Sequence, residues 1–351
     1  MIVVASKQAI RVKYQADANN VQDAIDALGP VLDASGMGAK QIRDAIDQRD
    51  PSRSVPVCLI GGYDIVPAFK PPNPTVKFVH DPDEDVTSDA PYGARPDDPA
   101  EVYLPTRAVS RIPDSGVPDA GQFIDILNRA AAAPGVPTPP GCFHLAANEF
   151  LGSAQLVMAV PTLNVGLNLS PPVPNSLPPV QGEIAGKGRI HFLLHGADEP
   201  ARWDRLFGAA NRKSLLVPAV RVSDLKGFAL KGSIVTFSTC YSAMLDPRSG
   251  QRRNPDNQPA LACLVAGAKT VYGSTRANWI DDTPPFDSFG SALIAAVWQL
   301  LVQGKPAAEA LRQARFDFAE SSLARDAWTR PYVLKTLLQA QCYGHPMARL
   351  Q

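Results

Sequence analysis

The sequence predicts an α/β protein built on a mostly parallel central sheet. Three observations carry that expectation. Apolar runs at 55–60, 189–194 and 232–239 have strand length, and they end in a Gly-rich turn, a His-Gly pair and a cysteine respectively. Segments with apolar residues at helical spacing lie between and after them, at 119–133, 260–266, 289–302 and 306–319. The order helix, strand, Gly-rich loop across 39–64 begins an α/β unit, a class in which ligands and catalytic groups gather outside the carboxyl ends of the strands.

Taken in order, residues 2–15 alternate weakly and read as a strand. Val21, Ile25, Leu28 and Leu32 recur at helical spacing in spite of Pro30, and 39–48 gives a second helix. The buried strand at 55–60 runs into Gly61-Gly62-Tyr63-Asp64. From 67 to 99 the chain is rich in Pro, Asp and Gly, which reads as a long loop or a set of edge hairpins over the surface. A strand at 101–109, continued by Ser110-Arg111-Ile112-Pro113, leads to the capped helix at 119–133. The Ala/Pro/Gly stretch 133–141 marks a boundary between an N-terminal α/β subdomain at 1–140 and a second subdomain at 141–351 that opens with a strand at 142–147. The run PPVPNSLPP at 171–179 reads as a surface loop, 269–273 as a strand, and 332–340 as a last helix. The 34 prolines are about twice the usual share of 5% and sit between periodic segments, so they read as rigid loops.

Composition narrows the function. A length of 351 residues and 45% hydrophobic content suffice for two packed units. The net charge of zero removes the usual case for a nucleic-acid or membrane-surface protein, and the basic cluster at 248–253 reads as a solvated loop. No apolar stretch reaches 18 residues, and the N-terminal run meets Lys7 and Arg11 too soon for a signal-peptide core. Five cysteines, Cys58, Cys142, Cys240, Cys263 and Cys342, are odd in number and form no CxxC pair. Neither a disulfide framework nor a zinc site is indicated, no cofactor is implied, and a reducing, cytoplasmic setting fits.

His195 and Cys240 are the candidate reactive pair, because each closes an apolar strand and neighbouring strands would bring them together. The plainer reading makes the cysteine a small buried hydrophobe and the histidine a hydrogen-bonded structural residue. Two neighbours favour chemistry. Gly196 lacks a Cβ, which lets a substrate carbonyl approach its N–H. Tyr241-Ser242-Ala243 suits a sharp turn into a helix whose amino end favours a thiolate.

The same residues carry a resemblance to the caspase-like (clan CD) cysteine peptidases, and to the gingipain type in particular. The chain resembles that type in the strand ending His-Gly followed by Trp203 (HGADEPARW), the later strand ending in Cys240, and the stretch ALACLVAGAKTVYGSTRANW at 260–279. VPVCLIGGYDIVPAF at 55–69 and LPTRAVSRIP at 104–113 are similar to two upstream signatures. The resemblance spans about 55–320 and implies a three-layer caspase-like sandwich with two side-by-side α/β subdomains. It also implies a cysteine-type peptidase acting on peptide or protein substrates, with a place for an activating or regulatory protein partner. Cys240 would be the nucleophile, His195 the general acid and base, and the N–H groups of Gly196 and Cys240 the oxyanion hole. The position of the family's acidic residue is Thr106 here, and Ser110 stands where the family has Gly; Asp64, Asp85 and Asp89 are the candidate substitutes. Trp203, Trp279, Asp281 and Asp282 are expected at the substrate, favouring Arg or Lys before the scissile bond; the plainer reading leaves the two aspartates in a solvated loop ahead of Thr283-Pro284-Pro285, and Arg276 would block that pocket or select an acidic residue instead. A catalytically silent binding module and a Cys-His acyltransferase are the alternatives.

Overall fold

The structure is a computed structural model that describes the chain except residues 78–80, 161–162, 164–165, 172–181, 248–250, 281–283, 287–288 and 324–329. The Pro-rich run at 171–179 therefore falls almost wholly outside the described residues, as do Asp281 and Asp282.

Ten strands form one sheet in the order β2 (Val31–Asp33), β1 (Ile2–Ala5), β3 (Val57–Ile60), β4 (Val109–Ile112), β12 (Ala340–Gly344), β11 (Thr270–Ser274), β10 (Ile234–Phe237), β7 (Arg189–Leu193), β5 (Cys142–Ala147) and β6 (Leu167–Ser170). β1 to β4 pair in parallel with one another, as do β11, β10, β7, β5 and β6. β12 joins the two sets, running antiparallel to β11 and placing Tyr343 opposite Arg111 of β4. A separate antiparallel hairpin, β8 (Arg205–Gly208) with β9 (Val217–Arg221), stands beside the sheet.

Helices cover both faces, so the central strands are nearly continuous runs of buried residues. Consecutive side chains serve opposite layers. Ile234 and Tyr272 pack with Trp298 and Leu311, on the helices Gly290–Val302 and Ala307–Leu323, while Val235 and Val271 pack with Ala262 and Cys263 on the helix Pro259–Val265. At the other end of the sheet, β1 and β3 are buried against helices Lys7–Tyr14, Ala18–Asp26, Ala39–Arg49 and Ala120–Ala132. The result is the three-layer α/β sandwich with a mostly parallel sheet that the sequence suggested.

Several elements differ from the sequence reading. Residues 2–15 form a short strand followed by a helix, because Ser6 caps Ala9 N–H at 3.1 Å and ends the extended run. Leu32 belongs to β2, not to the preceding helix, which stops at Asp26. The strand expected from 101 starts only at Val109. β6, the β8–β9 hairpin and β12 were not anticipated.

The largest departure is the segment 67–99, expected on the surface. It contains buried Asp83, Thr87, Ser88 and Asp89. Its carboxylates have cationic partners inside: Arg111 grips Asp89 through Nε at 2.8 Å and Nη2 at 2.6 Å, and Lys335 meets Asp81 at 2.6 Å and Asp83 at 3.0 Å. A polar segment can be interior when each charge is met, and removing one partner of such a pair typically costs about 3–5 kcal/mol.

β5 and β7 also carry His144 directly opposite His191, with ring centroids 5.9 Å apart. His144 Nε2 meets the Leu163 carbonyl at 3.1 Å, and His191 Nδ1 meets Thr236 Oγ1 at 2.9 Å. Burial pushes His144 down to about 4 and His191 down to about 3, so both imidazoles are neutral in the fold. Because the unfolded chain binds protons at these groups near pH 6.5 and the folded chain does not, stability is complete above that pH and declines as pH falls toward 4. Tm should therefore drop between pH 6.5 and 5, and the slope should flatten in His144→Gln. An identical slope in that variant would refute this origin.

Candidate active site

β7 and β10 are parallel neighbours with Phe192 opposite Phe237, so His195 and Cys240, each three residues further on, leave the sheet at the same level. The chain segments beyond the strands remain tied, with Ser238 N–H donating to Phe192 O at 2.9 Å and Leu194 N–H to Thr239 Oγ1 at 3.2 Å. His195 then exchanges two backbone hydrogen bonds of 2.9 Å with Phe207 of β8, which fixes it against the hairpin. Gly196 lies against the backbone of Cys240: a Cβ there would stand 2.0 Å from Cys240 O. Only glycine fits, for reasons of space.

The imidazole of His195 is held by a carboxylate that the sequence reading missed. Nε2 makes a short contact with Glu149 Oε1, and the Phe150 ring stands 4.8 Å from the imidazole. Glu149 lies two residues past the end of β5, the strand next to β7, and its N–H donates to Ala209 O at 3.2 Å. The available signal was an acidic residue at the end of a strand adjacent to the His strand. Thr106 takes no part there, since its hydroxyl donates to Glu101 at 3.1 Å and accepts from Arg53 at 2.8 Å. Asp64, Asp85 and Asp89 are likewise engaged elsewhere, by Lys13, Arg276 and Arg111.

Cys240 is half-buried, whereas the other four cysteines are fully buried. Its sulfur accepts from Asn278 N–H at 3.2 Å and lies 3.6 Å from Asn278 O. Burial raises the thiol above its ordinary range, while the Asn278 and Gly196 N–H groups and the charge of Lys335 act in the opposite direction. The expected helix at Cys240 is absent: residues 241–243 form a turn, and the next helix is Pro259–Val265. No helix amino end stabilises a thiolate here, in keeping with the direction of the shift. The turn is sharp. Tyr241 adopts φ of 57°, a left-handed conformation that costs a side-chain-bearing residue about 1–2 kcal/mol.

Trp203 and Trp279 flank this arrangement differently. Trp203 is 3% exposed, packs with Tyr241 and Met244, donates to Asp198 O at 2.9 Å, and carries the Arg253 guanidinium 3.4 Å over its ring. It borders a small cavity with Gly196 and Cys240. Trp279, half-buried, meets Tyr332 edge-on at 5.1 Å and follows the Asn278 that touches the sulfur. Asp281 and Asp282 are outside the described residues. Arg276 does not reach toward a substrate: it is 3% exposed and bound to Asp85 at 2.6 Å and Asp246 at 3.0 Å, which corrects the expectation that it blocks or selects. Among the described residues no group of three or more His, Cys, Asp and Glu is arranged to hold a metal ion, and no helix is long and apolar enough to cross a membrane.

Alkylation with iodoacetamide should modify Cys240 first and become faster with rising pH, with a midpoint above the ordinary thiol range. Cys58, whose thiol burial pushes up to about 12, and the equally enclosed Cys263 should react only on unfolding. Early modification of Cys263, or a Cys240 rate already at its plateau at pH 7, would contradict this assignment.

No family model and no curated protein matches the chain. Solved structures do. The Arg-specific cysteine proteinase gingipain R (RgpB) superposes over 100% of this chain and 78% of its own, with a TM-score of 0.67 at 13% identity. A structure described only as a protease covers 99% of the chain and 78% of its own, at a TM-score of 0.60 and 13% identity. The complex of Porphyromonas gingivalis RgpB pro- and mature domains matches over 100% of the chain and 79% of its own, at 0.61 and 12%. Built on a ten-stranded sheet with helices on both faces, the chain has the caspase-like fold of gingipain R.

Proposed function

We propose that the chain is a cysteine endopeptidase that cleaves peptide bonds through a Cys240 thioester, with His195 as general acid and base. The observation that carries this reading is the shared level of His195 and Cys240 on adjacent parallel strands, with Glu149 on the imidazole and Gly196 against the Cys240 backbone. The gingipain fold supports it.

The thiol proton leaves for His195 as the sulfur attacks the carbonyl carbon, in keeping with burial raising the Cys240 thiol above its ordinary range. The carbonyl oxygen, now negative, is met by the N–H groups of Gly196 and Cys240. Collapse breaks the C–N bond, and the amine leaves with the proton that His195 holds. Water then gives a proton to His195 and attacks the thioester; the carboxylic acid departs and the sulfur recovers its proton. Glu149 fixes the ring and favours the imidazolium formed in each half-reaction.

On this reading a basic residue precedes the scissile bond, held by Asp281 or Asp282 with Trp279 against its stem; gingipain R is itself described as Arg-specific. The N-terminal 1–140 and the segment 141–351 act as two units, the second bearing the His195–Cys240 pair. Cys240→Ala and His195→Ala should abolish hydrolysis of fluorogenic peptides without lowering Tm, and Glu149→Gln should reduce kcat by about 10²-fold. In a panel with Arg, Lys, Asp, Asn and Leu before the bond, Arg and Lys should release fastest. Full turnover by Cys240→Ala would overturn the mechanism, and preference for Asp or Leu would overturn the basic pocket.

A further inference from the structure

Three donors converge on one buried carboxylate beneath Cys240. Asp83, 1% exposed, accepts from Ala277 N–H at 2.9 Å and Lys335 Nζ at 3.0 Å through Oδ2, and from the Tyr241 hydroxyl at 3.3 Å through Oδ1. Arg276 Nε lies 3.8 Å from Oδ1. Tyr241 and Ala277 are not arbitrary partners. The first directly follows Cys240 and holds the left-handed turn; the second directly precedes Asn278, whose N–H meets the sulfur. Tyr241 N–H also donates to Arg276 O at 3.1 Å, so the two loops are stitched together on either side of the carboxylate.

Asp83 is itself immobilised. Its own N–H donates to Asp81 Oδ1 at 3.0 Å, and Asp81 takes Lys335 at 2.6 Å and the Thr75 hydroxyl at 2.6 Å. Burial would raise Asp81, but the hydrogen bonds from Lys335 and Thr75 hold it below the usual carboxylate range. Lys335 is 0% exposed, so this charge pair is enclosed.

We propose that Asp83 is a positioning residue for the nucleophile: it clamps the Tyr241 turn and the Ala277–Asn278 segment at the separation in which Cys240 is presented to the substrate. The proposal rests on the reading of Cys240 as the nucleophile. Its charge also acts on the sulfur, against that of Lys335. Among the described residues, the other charged and titratable groups facing this region are His195 with Glu149 from the β7 and β5 side, Arg205 and Arg253 across the small cavity, and Arg276 with Asp85 and Asp246.

Two variants separate the clamp from the charge, with iodoacetamide alkylation of Cys240 read across pH together with kcat and KM for peptide hydrolysis. Tyr241→Phe removes one arm of the clamp and no charge. Its alkylation midpoint should stay in place while the plateau rate changes and kcat falls about 10-fold at nearly constant KM, the scale on which small misplacements of reacting groups act. Asp83→Asn removes the charge as well, and its alkylation midpoint should move to lower pH. Unchanged kcat and alkylation in Tyr241→Phe would overturn the proposal, as would wild-type kcat in folded Asp83→Asn. Should Asp83→Asn fail to fold, the Tyr241→Phe result alone decides. Because alkylation needs no peptide, an inactive wild-type protein would sink the peptidase reading and leave this test intact.

Discussion

The parallel pairing of β7 with β10, with Phe192 opposite Phe237, is the constraint on which the site depends. Strand pairing with a period of two leaves no intermediate register, so once these two strands are matched by their buried faces, the residues three positions beyond them are matched too. Neither His195 nor Cys240 needs a contact of its own to be brought to the other. The hairpin then holds His195 through Phe207, and β5 supplies Glu149 from the next position across.

Much of this was legible in the amino-acid sequence because the buried strands of a covered parallel sheet are short and uniformly apolar, and because His195 and Cys240 end two of them. Glu149 was not, since one carboxylate after an ordinary strand looks like a solvated turn until the strand order is known. The same limit hid β12: Ala340–Gly344 continues directly from a helix, and nothing local in AQCYG tells a strand from a helix end. Composition misplaced the segment 67–99, because Pro, Asp and Gly suggest the surface, whereas the cations that permit burial, Arg111, Arg276 and Lys335, lie far along the chain. The turn after Cys240 was legible, but its continuation was not. Small residues at 241–243 fit a helix start as well as an isolated turn, and the electrostatic consequences are opposite.

Buried ion pairs of this kind do little for net stability and much for geometry. A hydrophobic replacement of similar volume is often equally stable, but it cannot tie a backbone N–H, a phenol and an ammonium to a single point. The carboxylates of 81–89 thus make the strand-end loops of the second half of the sheet depend on a segment from the first half.

β12 has a further consequence for how the protein is made. The strand that closes the gap between the two sets is drawn from residues 340–344, while its neighbours β4 and β11 are complete by residues 112 and 274. During synthesis both neighbours wait with unpaired edges, and each presents a template to which another chain could add. The continuous sheet cannot form until Gly344 has emerged. Pairing over so long a separation in sequence is slow, so these two edges are among the last parts of the sheet to be covered.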